Sequence, residues 1–233
     1  MSKFVLLLFL LGIVFTSSAQ TNQADLTQIT EDKGYYRKVY SQSEGKLDGE
    51  YKEIYTETGA VRLEGSYKNG LKEGLWIYRD RSNKLKKEEN YHQDKLDGTC
   101  TTYQEGEARI TESYKNGTKD GLFETYNRKG RLVEKKVFLN GKLQSSHTYY
   151  DDGSVKSESV IPKDSQKPYT TKQYYPSGKL KVEATMKDNT CLKSTSYFEN
   201  GQIQFVYELI DGQLKLIKRF NEKGKSLSTS CDC

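Results

Sequence analysis

From Gly34 onward this 233-residue chain repeats itself every 23 to 25 residues. Gly34, Gly59, Gly106, Gly130, Gly153, Gly178, Gly201 and Gly224 mark the unit origins, and Asn83 fills the one gap. Two residues after each origin stands a mostly apolar residue: Tyr36, Val61, Leu85, Ala108, Leu132, Val155, Leu180 or Ile203. Eleven residues after comes Gly45, Gly70, Asp94, Gly117, Gly141, Asp164, Asn189 or Gly212. In the first four units a second glycine follows, at Gly49, Gly74, Gly98 and Gly121. A short period of this kind excludes most globular folds, because each unit must bury its apolar face against its neighbours.

Gly, Asn and Asp recur where the backbone needs positive φ, and strand-length segments separate them. In the last full unit Ile203, Phe205, Tyr207 and Leu209 read as one face, with Gln204 and Glu208 on the other. The expected fold is all-β: an elongated antiparallel sheet of tandem β-hairpins, about eight units long. Composition agrees with it. Beyond residue 19 the chain is only about 31% apolar, well under the usual share for a globular domain. Even that share includes eighteen tyrosines.

Segments such as Gly45-Lys-Leu-Asp-Gly49-Glu-Tyr51, Asn69-Gly70-Leu-Lys-Glu-Gly74-Leu-Trp76 and Asn116-Gly117-Thr-Lys-Asp-Gly121-Leu-Phe123 resemble MORN repeats, more closely the bacterial variant form. Some relatives of that form are labelled antitoxin-like. The resemblance implies a repeat protein that works by association with proteins or close to membranes. It is strongest over residues 34–145. Over 146–226 the period persists, but Ser145, Pro168, Lys193 and Leu216 replace the second glycine. Pro162, Pro168 and Pro176 place a bulge, loop or junction near residues 161–170.

The ends of the chain read differently. Lys3, an apolar run from Phe4 to Phe15, and Ser17-Ser18-Ala19 form a signal peptide over residues 1–19. The run is too short to span a bilayer as a helix. No cysteine lies near the cut, so an exported protein without a lipid anchor is expected: periplasmic, cell-surface or secreted. Residues 20–33 are a polar lead-in, and residues 227–233 a cysteine-containing tail.

Chemistry is sparse. His92 and His147 lie far apart in repeat positions and read as strand or turn residues. No metal, phosphate or nucleophile motif occurs, so no catalytic residue, cofactor or metal site is assigned and the chain is read as non-enzymatic. Glu64, Glu88, Glu158 and Glu183 recur five residues after their origins, which points to surface ladders with lysines. Cys100 replaces an aromatic and reads as a packed apolar residue. Cys231 and Cys233 are candidates for a disulfide with each other, with Cys191 or with a partner. Asn116-Gly117-Thr118 matches a glycosylation pattern but stands at a repeat turn.

The net charge of +5 comes from finely alternating signs, unlike a nucleic-acid-binding surface. It also offers no polybasic patch for lipid head groups, so membrane association is not predicted. A protein partner is the expectation, with an antitoxin or immunity role and lipid binding as alternatives. The residues singled out as stripe aromatics or partner contacts are Tyr51, Trp76, Phe123, Tyr126, Tyr149 and Tyr174.

Overall fold

A computed structural model describes residues 27–164 and 166–229. The segment read as a signal peptide and the pair Cys231 and Cys233 lie outside the described residues. Within them the chain is all β: nineteen strands, from β1 (Thr27–Asp32) to β19 (Ser226–Leu227), in one open antiparallel sheet. Strands pair with their neighbours in the chain. The continuation from β9 (Glu107–Lys115) through β18 (Gln213–Phe220) follows the same rule. The one variation is that β6 (Leu85–His92) pairs with both β7 (Lys95–Leu96) and β8 (Gly98–Gln104).

Two kinds of turn, on opposite edges of the sheet, build the repeat. Along one edge run tight turns in which both central residues have positive φ, such as Asn69 (52°)–Gly70 (85°), Asn116 (49°)–Gly117 (79°) and Asn140 (48°)–Gly141 (77°). That conformation matches the right-handed twist of the flanking strands and suits Asn-Gly pairs. These turns also stack: Gly70 N donates to Leu47 O at 2.7 Å and Gly117 N to Leu96 O at 2.7 Å. The other edge carries the origin glycines in longer loops. At Gly130, for example, the glycine N donates to Asn127 O while Asn127 N donates to Arg131 O.

Both edges carry regular bulges. In all units but the first and the last, one residue three after the origin has no opposite number: Arg62, Lys86, Arg109, Val133, Lys156, Lys181 and Gln204. A bulge redirects the strand and raises its twist. It also shifts the face parity assumed above. Gln204 is the extra residue, so Ile203 leaves the face of Phe205 and Tyr207, and Val206 on the other side is the buried residue of β17 (Ile203–Ile210).

The second glycine makes a larger irregularity. Between β9 and β10 (Thr118–Tyr126), Tyr114 pairs with Lys119 and Glu112 with Phe123, so Asp120, Gly121 and Leu122 oppose Ser113 alone. Where the glycine is lost, a single residue bulges instead, as at Gln144 and Leu192. The proline region replaces a tight turn with a longer connection between β13 (Val155–Val160) and β14 (Tyr169–Tyr174), which share only three paired positions. The sheet nevertheless continues unbroken through it.

The polar lead-in also contributes a strand. Thr27 to Asp32 pairs residue for residue with Gln42 to Arg37 of β2 (Tyr36–Ser43).

The core is a stripe rather than a centre. Its buried apolar residues are Tyr51, Trp76, Cys100, Phe123 and Ala184, whereas Val206 is buried on the opposite face. Trp76 of β5 (Leu71–Arg79) is wholly buried, flanked by Tyr51 of β3 (Lys46–Tyr55) at 5.6 Å, Tyr67 of β4 (Val61–Lys68) at 5.0 Å and Tyr91 at 6.4 Å between ring centroids. Phe123 continues the stripe against Tyr114 and Phe138. Beyond Lys136 the same cross-strand row turns small: Ser146, Ser159, Thr171, Ala184 and Ser194.

Candidate interaction surface

The opposite face carries a cross-strand row of charge. Successive pairings run Lys52, Glu64, Ile77, Glu88, Thr101, Thr111, Glu124, Lys135, His147, Glu158, Lys172 and Glu183. Glu183 faces Lys172 at 3.9 Å, and Glu158 lies 4.0 Å from His147. Glu64 binds Arg79 at 2.6 Å, whereas Glu88 accepts the Tyr103 hydroxyl at 2.7 Å instead of meeting a lysine. Neighbouring charges of opposite sign in a sheet favour this register over a slipped one.

The six aromatics singled out above divide by burial. Tyr51, Trp76 and Phe123 are buried in the stripe. The Tyr51 hydroxyl donates to Glu53 at 2.8 Å, and Arg62 closes on the same carboxylate. Burial, followed by that hydrogen bond, drives the Tyr51 phenol well above its ordinary pKa. Tyr126, Tyr149 and Tyr174 are partly exposed, at strand ends on the edge of the origin loops. Tyr126 donates to Glu124 at 2.8 Å. Tyr174 donates to Glu158 at 2.5 Å, and that bond, ahead of burial, raises its pKa to about 12.

Along the same edge the bulged cations lie against aromatic rings. Arg62 sits 4.7 Å from the ring centre of Tyr36, Lys156 at 5.8 Å from Tyr150 and Lys181 at 5.5 Å from Tyr175. The next unit holds these rings in place: Tyr150 OH donates to Tyr174 O at 2.7 Å and Tyr175 OH to Tyr197 O at 2.8 Å. These bulged cations were not singled out from the sequence. Their signal is a recurrent Arg or Lys three residues after the origin.

Three recesses open along this edge. The largest, about 660 Å³, is lined by Arg131, Leu132, Lys135, Tyr149 and the loop Asp151–Gly153. Arg131 binds Asp151 O, and Asn127 Nδ2 donates to the Asp151 side chain at 3.2 Å, so the loop is tied to the preceding unit. One unit further on, Tyr150, Tyr174, Lys156 and Lys181 line a smaller recess of about 170 Å³. A third lies near the start of the sheet, between Tyr35, Tyr55 and Arg81.

Elsewhere the chemistry stays sparse. His92 Nδ1 lies 3.0 Å from Glu73 Oε1 at an exposed turn. Among the described residues, Cys100 is buried and Cys191 partly exposed, both as free thiols, and no cluster of His, Cys, Asp or Glu could hold a metal ion.

Residues 72–93 and 170–188 match the MORN repeat variant. The first segment covers the second glycine, Gly74, with Trp76 and the hairpin of β5 and β6; the second covers the hairpin of β14 and β15 (Leu180–Lys187). No curated protein matches the chain. Among solved structures, it is similar to a porin-like protein from Bacteroides uniformis, at 11% identity and a TM-score of 0.19 over 82% of this chain and 92% of that one. At that score the likeness carries no argument.

Proposed function

We propose that this chain, two segments of which match the MORN repeat variant, is an exported, non-enzymatic binding module whose partner is a protein. The supporting observation is the recess around Tyr149, continued one unit on by the recess around Tyr174. A Tyr-Leu wall beside Arg131, Lys135 and the two aspartates suits a peptide segment that inserts an apolar side chain and pairs its flanking polar groups at the rim. Partly exposed aromatics and arginines bordering a pocket are the residue types that anchor protein interfaces. Recesses in two adjacent units would let one extended partner engage both, as repeat arrays do.

Affinity capture from the envelope fraction of the exporting host tests this reading. The wild-type protein should retain a partner that the double variant Tyr149→Ala, Arg131→Ala releases while keeping its β-sheet circular-dichroism signal. Equal capture by both proteins contradicts it. Detection of the precursor and not of a shortened chain outside the cytoplasm would contradict export.

A further inference from the structure

An open sheet also ends in two outermost strands, here β1 and, but for a short cover by β19, β18. The outer side of β1 is unpaired among the described residues, and β19 covers β18 only at Arg219 and Phe220, leaving Gln213–Lys218. Each free stretch is six residues long. The first carries Glu31 and Asp32, the second Lys215 and Lys218.

We propose that the free edge of β18 receives β1 of a second copy of this chain, so that copies join head to tail into one longer antiparallel sheet. The faces of the two strands agree with such a joint. Leu216 shares the face of Tyr207, and Ile29 that of Tyr40 and Tyr51, which is the aromatic face in both cases. Lys215 lies opposite Glu208, and Thr30 opposite Val39, both on the charged face. Antiparallel pairing of Gln213–Leu216, ahead of the Ile217 bulge, with Ile29–Asp32 therefore sets Leu216 beside Ile29, and Lys215 opposite Thr30 and diagonal to Asp32. Leu214, 48% exposed at this edge, would gain a neighbour.

Charge selects this joint over its competitors. Pairing β18 with β18 gathers four lysines in one ladder, and pairing β1 with β1 gathers four carboxylates; the mixed joint instead sets a lysine, Lys215, diagonal to a carboxylate, Asp32. Lysines on a free strand ordinarily guard it against indiscriminate pairing. Here they leave one partner strand permitted. The contact is heterologous, so it propagates instead of closing as a dimer.

Sedimentation of the purified protein over a wide concentration range tests the proposal. The mass average should climb past two copies without a plateau, and more steeply at low salt. Lys215→Glu with Lys218→Glu should weaken association about tenfold, as should Glu31→Lys with Asp32→Lys. A mixture of these two variants restores unlike charge at both joints, and should therefore climb past two copies again as alternating chains. A monomer at every concentration, as when the C-terminal segment of the same chain occupies β18, overturns the proposal. So does a wild-type plateau at two copies, or charge variants that associate as the wild type does.

Discussion

Gly65 lies directly beneath the indole of Trp76. A Cβ at position 65 would stand 2.4 Å from Cδ2 and 2.5 Å from Cε2 of that ring, closer than any van der Waals contact allows. The other aromatics around Trp76 press from the sides, so the missing side chain at 65 is what allows a wholly buried tryptophan on a single-layer sheet.

Gly65→Ala is expected to destabilise the protein by about 1–3 kcal/mol through overpacking. The backbone at 65 is not in the left-handed region, so steric conflict alone carries the effect. Denaturant unfolding followed by the emission of Trp76, the only tryptophan, measures it. An unchanged midpoint would show that the ring does not occupy this position.

The second glycines differ among themselves. Gly74, Gly98 and Gly121 all have positive φ, at 71°, 105° and 104°. A Cβ at 74 meets nothing within 4 Å, whereas one at 98 would meet Asn90 Cβ at 3.2 Å and one at 121 Ser113 Cβ at 3.0 Å. Alanine at 74 should cost about 1 kcal/mol from backbone strain, and at 98 or 121 more, because crowding is added. Equal losses at the three sites would contradict the bulge geometry.

Lys72 folds over the stripe, its ammonium 4.4 Å from the Trp76 ring centre and 4.6 Å from that of Tyr91. Lys119 repeats the arrangement over Phe123 at 4.8 Å and Phe138 at 5.3 Å. Lys72→Met keeps the covering stem and removes the charge, so its loss isolates the cation–π contribution, about 0.5–2 kcal/mol. Lys72→Ala should cost more and should red-shift the tryptophan emission by admitting water. Identical behaviour of the two variants would mean that the stem covers nothing.

These examples show what the sequence made legible and what it did not. Asn-Gly and its equivalents have so strong a backbone preference that the tight turns, and with them the strands, could be read directly. The stripe could be read too, since Tyr51, Trp76, Cys100 and Phe123 recur at one repeat position. The bulges could not. A single extra residue such as Gln204 leaves the period intact yet reverses every side chain on one side of it, which takes Ile203 off the face of Phe205 and Tyr207. Strand β1 was hidden for another reason. TQITED has one large apolar residue, and an edge strand is held by backbone pairing that leaves no mark on side-chain pattern. Nor did the six aromatics disclose which were buried, because Tyr serves equally in the stripe and at the rim.

Glu89 supplies a pH test. It is buried, which by itself would raise its pKa, but Lys87 at 2.5 Å and the hydroxyls of Tyr78 and Tyr91 outweigh that and hold it below 4.5. A carboxylate with a lowered native pKa contributes stability that is complete above its unfolded value and is lost as pH falls through the native one. Denaturation midpoints between about pH 6 and about pH 3 should therefore fall more steeply for the wild type than for Glu89→Gln. Parallel curves would show that Glu89 is not held as a buried anion.

The central claim is that the described residues form one continuous, unbranched sheet with no central core. Strands at about 4.8 Å intervals then give an array about 80 Å long, with a radius of gyration near roughly 25 Å. A compact fold of the same size would give about 17 Å. Small-angle scattering extrapolated to zero concentration, where any joining of copies is removed, measures this directly. A value close to the larger figure is the predicted result; one near the smaller would mean that the sheet folds back on itself, and would contradict the account.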